Sequence, residues 1–224
     1  TVFYSLTASL GNLVVKENAE RRYHVFEMMQ SVSIILSTVC ICGFSFLIQD
    51  FINLWLGKKF ILDNLILIAI ISNLYLGIVL LPVWVYREAT GLYQQTKYVM
   101  LLTSLINLGL SIVMGKAMGV AGILFASAIS RLVTYFWYEP VLLFKEYFSK
   151  KSIIYFLDIA KSLIVTVIIV LIEELTINKY KPINWIEFIL KAVLVFVVTT
   201  VMVLVIYSKS DGLKLILEKV KKSL

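Results

Sequence analysis

The sequence predicts an all-α fold, a polytopic membrane helix bundle with one partial helix followed by six transmembrane helices. Hydrophobic residues make up 60% of the chain, against about 45–50% in soluble domains, and the mean hydropathy is +0.92. Several uncharged runs approach the length that crosses a bilayer as a helix, about 17–25 residues. These runs are 28–49, 64–86, 98–115 and 192–208. The chain is therefore expected to be an integral membrane protein.

The first predicted element is an incomplete helix. Residues 1–15 carry no charge, and the charged stretch KENAERR begins at Lys16. A secretory signal peptide has its basic residues before the apolar run, so this segment does not fit one. We expect it to be the end of a transmembrane helix, and the chain to be a C-terminal fragment.

Two further spans are predicted where an apolar run contains charge. Residues 117–138 include Arg131, and residues 152–172 include Asp158 and Lys161. An arginine at the centre of a membrane helix costs about 2.5–3.5 kcal/mol on insertion scales. A residue with that cost needs a specific reason for its position.

Short connections separate the predicted spans. They lie in the stretches WLGKKF, ATGLYQQTK, GKAMG, FSKKS and TINKYKPIN. Pro82, near the inner end of its span, is expected to kink or end that helix. Gly122, Ala126 and Ser130 recur every fourth residue and predict a face against which another helix packs closely.

The basic residues predict the orientation, because loops rich in lysine and arginine stay on the cytoplasmic side. A cytoplasmic C-terminus leaves few basic residues outside. Those are Lys58, Lys59, Lys116, Lys179 and Lys181. The net charge of +7 thus reflects topology. Because the basic residues are spread among short loops, the bilayer is an expected partner and nucleic acid is not.

Residues 209–224 are predicted to form a basic amphipathic cytoplasmic tail. From Asp211 onward, apolar residues share one helical face and lysines the other, a pattern expected to lie on the inner membrane surface. A short solvated helix is the alternative. Cys40 and Cys42 lie within an apolar run and are expected to pack as small apolar residues. No metal site and no cofactor are predicted.

Polar side chains align on three predicted helices. Arg131 and Tyr135 share one helical face, Asp158 and Lys161 lie on the next helix, and Asn107 lies on the preceding one. The predicted orientation places both cations in the cytoplasmic half of the bilayer, where they could attract an anionic head group. Arg131, Lys161, Asn107 and Tyr135 are therefore the candidate substrate-binding residues. Asp158 is the candidate for ion coupling.

Each candidate also has a structural alternative. Asp158 and Lys161, three residues apart, can neutralise each other, or Lys161 can extend to the interface. Arg131 can pair with Glu139, two turns further on. Asn107 can form hydrogen bonds between helices.

Four stretches carry a resemblance to a known family. They are SLTASLGNLVVKENAERRYHVFEMMQ, FINLWLGKKFIL, REATGLYQQTKY and INLGLSIVMGKAMGVAGILFASAISRLVTYFWYEPVLL. With them, residues 1–148 resemble the C-terminal half of Wzx-like oligosaccharide-lipid flippases. This family belongs to the superfamily that also contains the multidrug-extrusion (MATE) and lipid II flippases.

The resemblance implies two pseudo-symmetric helical lobes around a central cavity that opens alternately to each side. Residues 1–148 would form part of the C-terminal lobe, and residues 149–208 two extra transmembrane helices. Such proteins, in the bacterial inner membrane, move undecaprenyl-diphosphate-linked oligosaccharide repeats to the outer leaflet for O-antigen, capsule or exopolysaccharide assembly. Polysaccharide polymerase and chain-length proteins are the further partners that it suggests. Arg131, with its planar donor fork, suits a diphosphate.

Two other functions remain as alternatives. A MATE-type drug or cation antiporter would share the architecture and need membrane carboxylates, for which the spans offer Asp158 and Asp50. Asp50, near an outer helix end, is expected to be an interfacial carboxylate instead. A membrane-bound enzyme of polysaccharide synthesis would need an acid, base or nucleophile set. The single histidine, His24, has no such motif nearby, so the chain is not expected to be an enzyme.

Overall fold

The computed structural model describes residues 7–208, 210, 213 and 214, and every element in this part of the chain is helical. The α-helices are α1 (Thr7–Lys16), α2 (Ala19–Trp55), α3 (Asn64–Val79), α4 (Leu81–Thr90), α5 (Tyr93–Met118), α6 (Val120–Val133), α7 (Tyr135–Leu143), α8 (Ile153–Thr176) and α9 (Trp185–Tyr207). A 3₁₀ turn spans Lys58–Phe60, and a π-helical turn spans Phe144–Phe148. The predicted tail lies outside the described residues, apart from residues 210, 213 and 214.

The all-α class is confirmed, and helix length and hydropathy fit the predicted multi-pass membrane helix bundle. The helical segments α2, α5, Val120–Phe148, α8 and α9 are each long and apolar enough to cross a membrane. Helices α3 and α4 share this property when taken together, with a bend of 43° between them. The six predicted spans correspond to these five segments and the bent pair. The predicted partial helix corresponds to α1, whose described part begins at Thr7.

The bend between α3 and α4 lies close to the proline that predicts it. Helix α3 ends at Val79, and Pro82 occupies the first turn of α4. A proline in the first helical turn forfeits no intrahelical hydrogen bond, whereas the same residue inside a helix would remove one. Leu80 is therefore the joint at which the chain changes direction.

Two connections are shorter than the sequence predicts. Only Gly119 separates α5 from α6, although the predicted loop covers residues 115–119. Only Gly91 and Leu92 separate α4 from α5. Both glycines have positive φ angles, +59° at Gly119 and +69° at Gly91. A residue without a Cβ atom adopts this conformation without steric cost, so one or two residues suffice to connect consecutive helices.

Helix α2 is the axis of the bundle. It has 37 residues, and its N-terminus is capped by Asn18, whose side chain accepts a hydrogen bond from the Arg21 backbone. Helices α3, α8 and α9 pack against it, and α5 lies further out against α6. Two buried apolar clusters follow the α2 axis. One lies at the predicted cytoplasmic end and the other near the α2–α8–α9 contact.

The cluster at the predicted cytoplasmic end is aromatic. Phe26 contacts the rings of Tyr86, Phe144, Phe148 and Tyr155 at centroid distances of 5.1–6.2 Å. Most of these contacts are edge-on or tilted, the geometry that aromatic quadrupoles favour. The cluster joins α2, α4, α8 and the π-helical turn after α7, so it holds the adjoining ends of these elements together.

The predicted small-residue face packs as expected. Gly122, Ala126 and Ser130 are all buried, and α6 packs along α5 and α3. A Cβ atom at Gly122 would lie 2.0 Å from the backbone oxygen of Met114 in α5. The absence of a side chain at Gly122 therefore lets α5 and α6 approach each other immediately after their tight turn.

We expect Gly122→Ala to destabilise the protein by about 1–3 kcal/mol or more, because the new methyl group overlaps a backbone that cannot move freely. Gly109→Ala in α5 is the matched control, since a Cβ atom there meets nothing within 4 Å. Thermal unfolding of both purified variants in detergent measures the difference. Equal melting temperatures for the two variants would show that this close contact is wrong.

Candidate functional site

Arg131 lies in the last turn of α6, directly before the joint between α6 and α7. Thr134 forms that joint with non-helical angles, φ −123° and ψ −104°. The Arg131 side chain is half-buried, and its guanidinium lies beside the hydroxyl of Tyr135. No carboxylate of the described residues forms an ion pair with Arg131. Arg131 and Tyr135 therefore lie close together, although the joint at Thr134 interrupts the continuous helix from which their shared face was predicted.

Glu139, the alternative partner of Arg131, pairs with a different arginine. Its Oε1 lies 2.6 Å from Nη1 of Arg87 in α4, and both side chains are largely buried. This ion pair ties α4 to α7. The Arg131–Glu139 pairing considered from the sequence is therefore replaced by an Arg87–Glu139 pair. Arg87 and Glu139 are 52 residues apart in the sequence, so helical spacing does not predict their contact.

Asn107 lies at the contact between α5 and α6. Its amide donates to the hydroxyls of Ser127, at 3.1 Å, and Ser130, at 3.4 Å. One helical turn or so further on, the hydroxyls of Thr103 and Thr134 lie 2.7 Å apart across the same interface. Both amide hydrogens of Asn107 are thus used between helices. This is the arrangement of the interhelical alternative.

Asp158 and Lys161 lie together on α8 and line a cavity of about 540 Å³. Their charged atoms are 3.8 Å apart, and the side chains are 45% and 71% exposed. The opposite wall belongs to α2 and includes Gln30 and Ser31, while Tyr207 of α9 contributes a third side. Under the predicted orientation this cavity opens at the cytoplasmic end. Arg131, Tyr135 and Asn107 do not line it, so the predicted site residues lie in two separate regions of the structure.

A second cavity, of about 620 Å³, lies between α2, α3, α6 and α8. Its walls are almost entirely aliphatic and aromatic. Leu132 and Phe136 line it, and they follow Arg131 and Tyr135 directly in the chain. The apolar groove therefore runs along a helical face adjacent to the one that carries the guanidinium.

Sequence reasoning missed a buried ion pair between α2 and α9. Nζ of Lys191 lies 2.6 Å from Oδ2 of Asp50, and the Lys191 and Asp50 side chains are 0% and 12% exposed. The predicted span began at residue 192, directly after this lysine, whereas α9 begins at Trp185. The signal for the earlier start was Asn184 followed three residues later by Glu187, the spacing of an N-terminal cap. In the structure, Asn184 accepts from the Glu187 backbone, and the Glu187 carboxylate accepts from the Ile183 backbone.

Sequence reasoning also left Glu173 outside the bundle. The predicted span ended at residue 172, but α8 continues to Thr176. Glu173 is 0% exposed, and its Oε1 lies 2.6 Å from the hydroxyl of Thr199 in α9. Cys42 of α2 is also fully buried and neighbours this carboxyl group.

No group of three His, Cys, Asp or Glu side chains that could hold a metal ion occurs in the described part of the chain. The sequence matches no protein-family model, no curated protein and no solved structure.

We expect Lys191→Met to lower the free energy of unfolding by about 3–5 kcal/mol, because it leaves the Asp50 carboxylate buried without its cation. Lys161→Met is the matched control. It removes a lysine from an exposed pair, for which about 1 kcal/mol or less is expected. The double variant Asp50→Asn, Lys191→Met should recover much of the loss. Denaturant unfolding of the purified unaltered protein, these three variants and Asp50→Asn alone supplies the free energies that the comparison needs.

Similar stabilities for Lys191→Met and Lys161→Met would contradict a buried, mutually dependent Asp50–Lys191 pair. So would strictly additive effects in the double variant, because groups that interact directly show a coupling free energy in such a cycle.

Proposed function

We propose that this chain forms part of a flippase for an anionic lipid-linked oligosaccharide. The substrate class is an undecaprenyl-diphosphate-linked repeat unit, moved from the inner to the outer leaflet of the bacterial plasma membrane for surface polysaccharide assembly. The observation that carries this proposal is the state of Arg131. It is a permanent cation in an apolar helical segment, with no carboxylate partner among the described residues.

Three of the other cations on the candidate spans have acidic partners. Arg87 pairs with Glu139, Lys191 with Asp50, and Lys161 with Asp158. An unpaired charge in hydrocarbon is costly, so cationic residues in membrane segments pair, reach water or mark a substrate path. Arg131 is half-buried and its neighbour is the neutral hydroxyl of Tyr135. An anionic ligand would supply the missing countercharge.

The chemistry of Arg131 favours a phosphate-bearing ligand. A guanidinium presents several N–H donors in a fixed plane and binds phosphate oxygens through two parallel hydrogen bonds. The Tyr135 hydroxyl adds one further donor beside it. Asn107 has no free donor for the same ligand, because both amide hydrogens face Ser127 and Ser130. We therefore assign substrate binding to Arg131 and Tyr135, and helix pairing to Asn107.

The apolar groove suits the lipid part of the same ligand. A lipid-linked glycan combines a charged diphosphate with a long hydrocarbon tail, and only the head group needs polar partners inside the membrane. Leu132 and Phe136 line the groove next to the Arg131 and Tyr135 positions. A tail in the groove would thus leave its diphosphate near the guanidinium.

The cavity with Asp158 and Lys161 is the proposed entry for the head group. Its wall offers a cation, a carboxylate and the polar side chains Gln30 and Ser31, which can exchange hydrogen bonds with sugar hydroxyls. Lys161 would attract the diphosphate from the inner leaflet before Arg131 binds it. Asp158, which neutralises Lys161 in the absence of ligand, would then be free to bind a coupling ion. Polysaccharide polymerase and chain-length proteins would receive the transported unit.

A MATE-type antiporter of drugs or cations is the second candidate. The buried carboxyl group of Glu173 favours it, since such transporters need membrane carboxylates that exchange protons or metal cations. A cationic drug, however, would be repelled by Arg131. The two candidates therefore predict opposite effects when the Arg131 charge is removed.

We expect Arg131→Ala in the full-length protein to weaken binding of undecaprenyl diphosphate by about 10-fold to 100-fold. This factor corresponds to the loss of charge-assisted hydrogen bonds worth about 1.5–3 kcal/mol. Binding of undecaprenol, which lacks the diphosphate, should not change. Arg131→Lys should be intermediate, because it keeps the charge but loses the donor fork. Titration of both lipids into protein in nanodiscs, read by native mass spectrometry, measures these affinities.

Lys97→Ala is the matched control. It removes one positive charge from an exposed position in α5, so it reports the effect of net charge alone. Unchanged diphosphate binding and undiminished polysaccharide export by a normally abundant Arg131→Ala protein would refute the flippase proposal. Improved binding of a cationic drug by the same variant would favour the antiporter instead.

A further inference from the structure

Glu173 lies at the meeting point of three helices and has no use in the proposed transport path. It belongs to α8, and it is surrounded by Cys42 of α2 and Thr199 of α9. Apolar side chains complete its surroundings. These include Phe46, Ile169 and Val195, all buried in the same cluster. A carboxyl group in this environment has lost its hydration and must be stabilised by its few neighbours.

The hydrogen bonds around Thr199 indicate whether Glu173 is protonated or ionised. The Thr199 hydroxyl oxygen lies 2.7 Å from the carbonyl oxygen of Val195 and 2.6 Å from Oε1 of Glu173. A hydroxyl group has a single hydrogen to donate, and a carbonyl oxygen has none. Two full two-centre hydrogen bonds form if Thr199 donates to Val195 and Glu173 donates to Thr199. With a carboxylate at Glu173, both acceptors would have to share the single Thr199 hydrogen in a weaker three-centre bond, so the geometry favours a proton on Glu173.

The remaining groups support the neutral form. Oε2 of Glu173 has no hydrogen-bond partner, so the weakly donating Cys42 thiol and the Thr199 hydroxyl are the only polar groups beside the carboxyl group in the described part of the chain, and no lysine or arginine of the described residues forms an ion pair with Glu173. The nearest cation along α9, Lys191, is eight residues from Thr199, about 12 Å along the helix, and it is bound to Asp50. Glu174, next in the chain, is exposed and accepts a hydrogen bond from Asn178.

We propose that Glu173, Thr199 and Cys42 form a proton-binding site inside the membrane bundle. Glu173 holds a proton while α2, α8 and α9 are packed together, and it releases the proton when α9 separates and water reaches the carboxyl group. The ligand of this site is H⁺. The inference does not depend on which substrate the protein transports.

Proton binding and helix packing are then linked, and the direction in which pH changes the stability follows directly. The packed state binds one proton more than an opened state in which the carboxylate is hydrated. Stability therefore falls as pH rises, wherever the packed state holds more protons than the opened one. Of the titratable side chains near Glu173, Cys42 faces it from α2, while Lys191 and Asp50 are paired with each other and Glu174 faces away. The difference between the unaltered protein and Glu173→Gln therefore isolates the part of the pH dependence that belongs to Glu173, since Cys42 is present in both.

Infrared difference spectroscopy tests the protonation state. Subtracting the spectrum of Glu173→Gln from that of the unaltered protein in nanodiscs, at about pH 7, should leave the carbonyl stretch of a protonated carboxyl group. The same subtraction with Glu174→Gln should leave carboxylate bands, because Glu174 is exposed. Carboxylate bands alone in the Glu173→Gln difference would overturn the proposal.

Thermal unfolding as a function of pH tests the linkage. Glu173→Gln keeps the shape and neutrality of the protonated side chain, so it should melt with the unaltered protein at about pH 5 and at least about 2 °C higher at about pH 9. Glu174→Gln should follow the unaltered protein at both pH values. A difference between Glu173→Gln and the unaltered protein that does not change with pH would contradict proton binding at Glu173.

Discussion

The cost of an unpaired charge in a low-dielectric interior is the constraint on which this structure depends. Buried or partly buried ionisable groups recur along the candidate spans, and the helix pairs of the bundle are arranged to satisfy them. The Asp50–Lys191 pair joins α2 to α9, the Arg87–Glu139 pair joins α4 to α7, and Thr199 of α9 binds Glu173 of α8. These contacts, together with the aromatic cluster at one end, hold the helices around α2. Arg131 departs from this pattern, because the described residues leave it without an acidic partner.

The surroundings of Arg131 indicate which kind of ligand would supply the missing negative charge. Arg131 lies beside the joint of α6 and α7, and Leu132, the next residue, lines an apolar groove of about 620 Å³. A polar cavity of about 540 Å³ opens between α2, α8 and α9. A cation, an apolar groove and a polar cavity within one bundle match the three parts of a lipid-linked glycan: the phosphate, the hydrocarbon tail and the sugars. This correspondence adds to the support that the unpaired Arg131 gives the proposed flippase.

Sequence patterns were informative where the property is local. Hydropathy located the spans, Pro82 marked the bend, and the repeat of Gly122, Ala126 and Ser130 marked the face that packs. They failed where a charged side chain is neutralised by a residue that is distant in the sequence. A span defined by the absence of charge ends at residue 172 in one case and begins at residue 192 in the other. Glu173 and Lys191 nevertheless lie inside the bundle, because partners on other helices bind them. In the same way, Glu139 pairs with Arg87, which is too far away in the sequence for helical spacing to predict the contact.

The central claim is that a ligand anion neutralises Arg131, and one structure tests it directly. Electron cryomicroscopy of the full-length protein in nanodiscs, with undecaprenyl diphosphate added, would show what contacts the guanidinium. The account predicts phosphate density within hydrogen-bonding distance of Arg131 and hydrocarbon density along the groove lined by Leu132 and Phe136. A carboxylate on Arg131, contributed by residues outside the described part of the chain, would instead make Arg131 one more internal ion pair and contradict the claim.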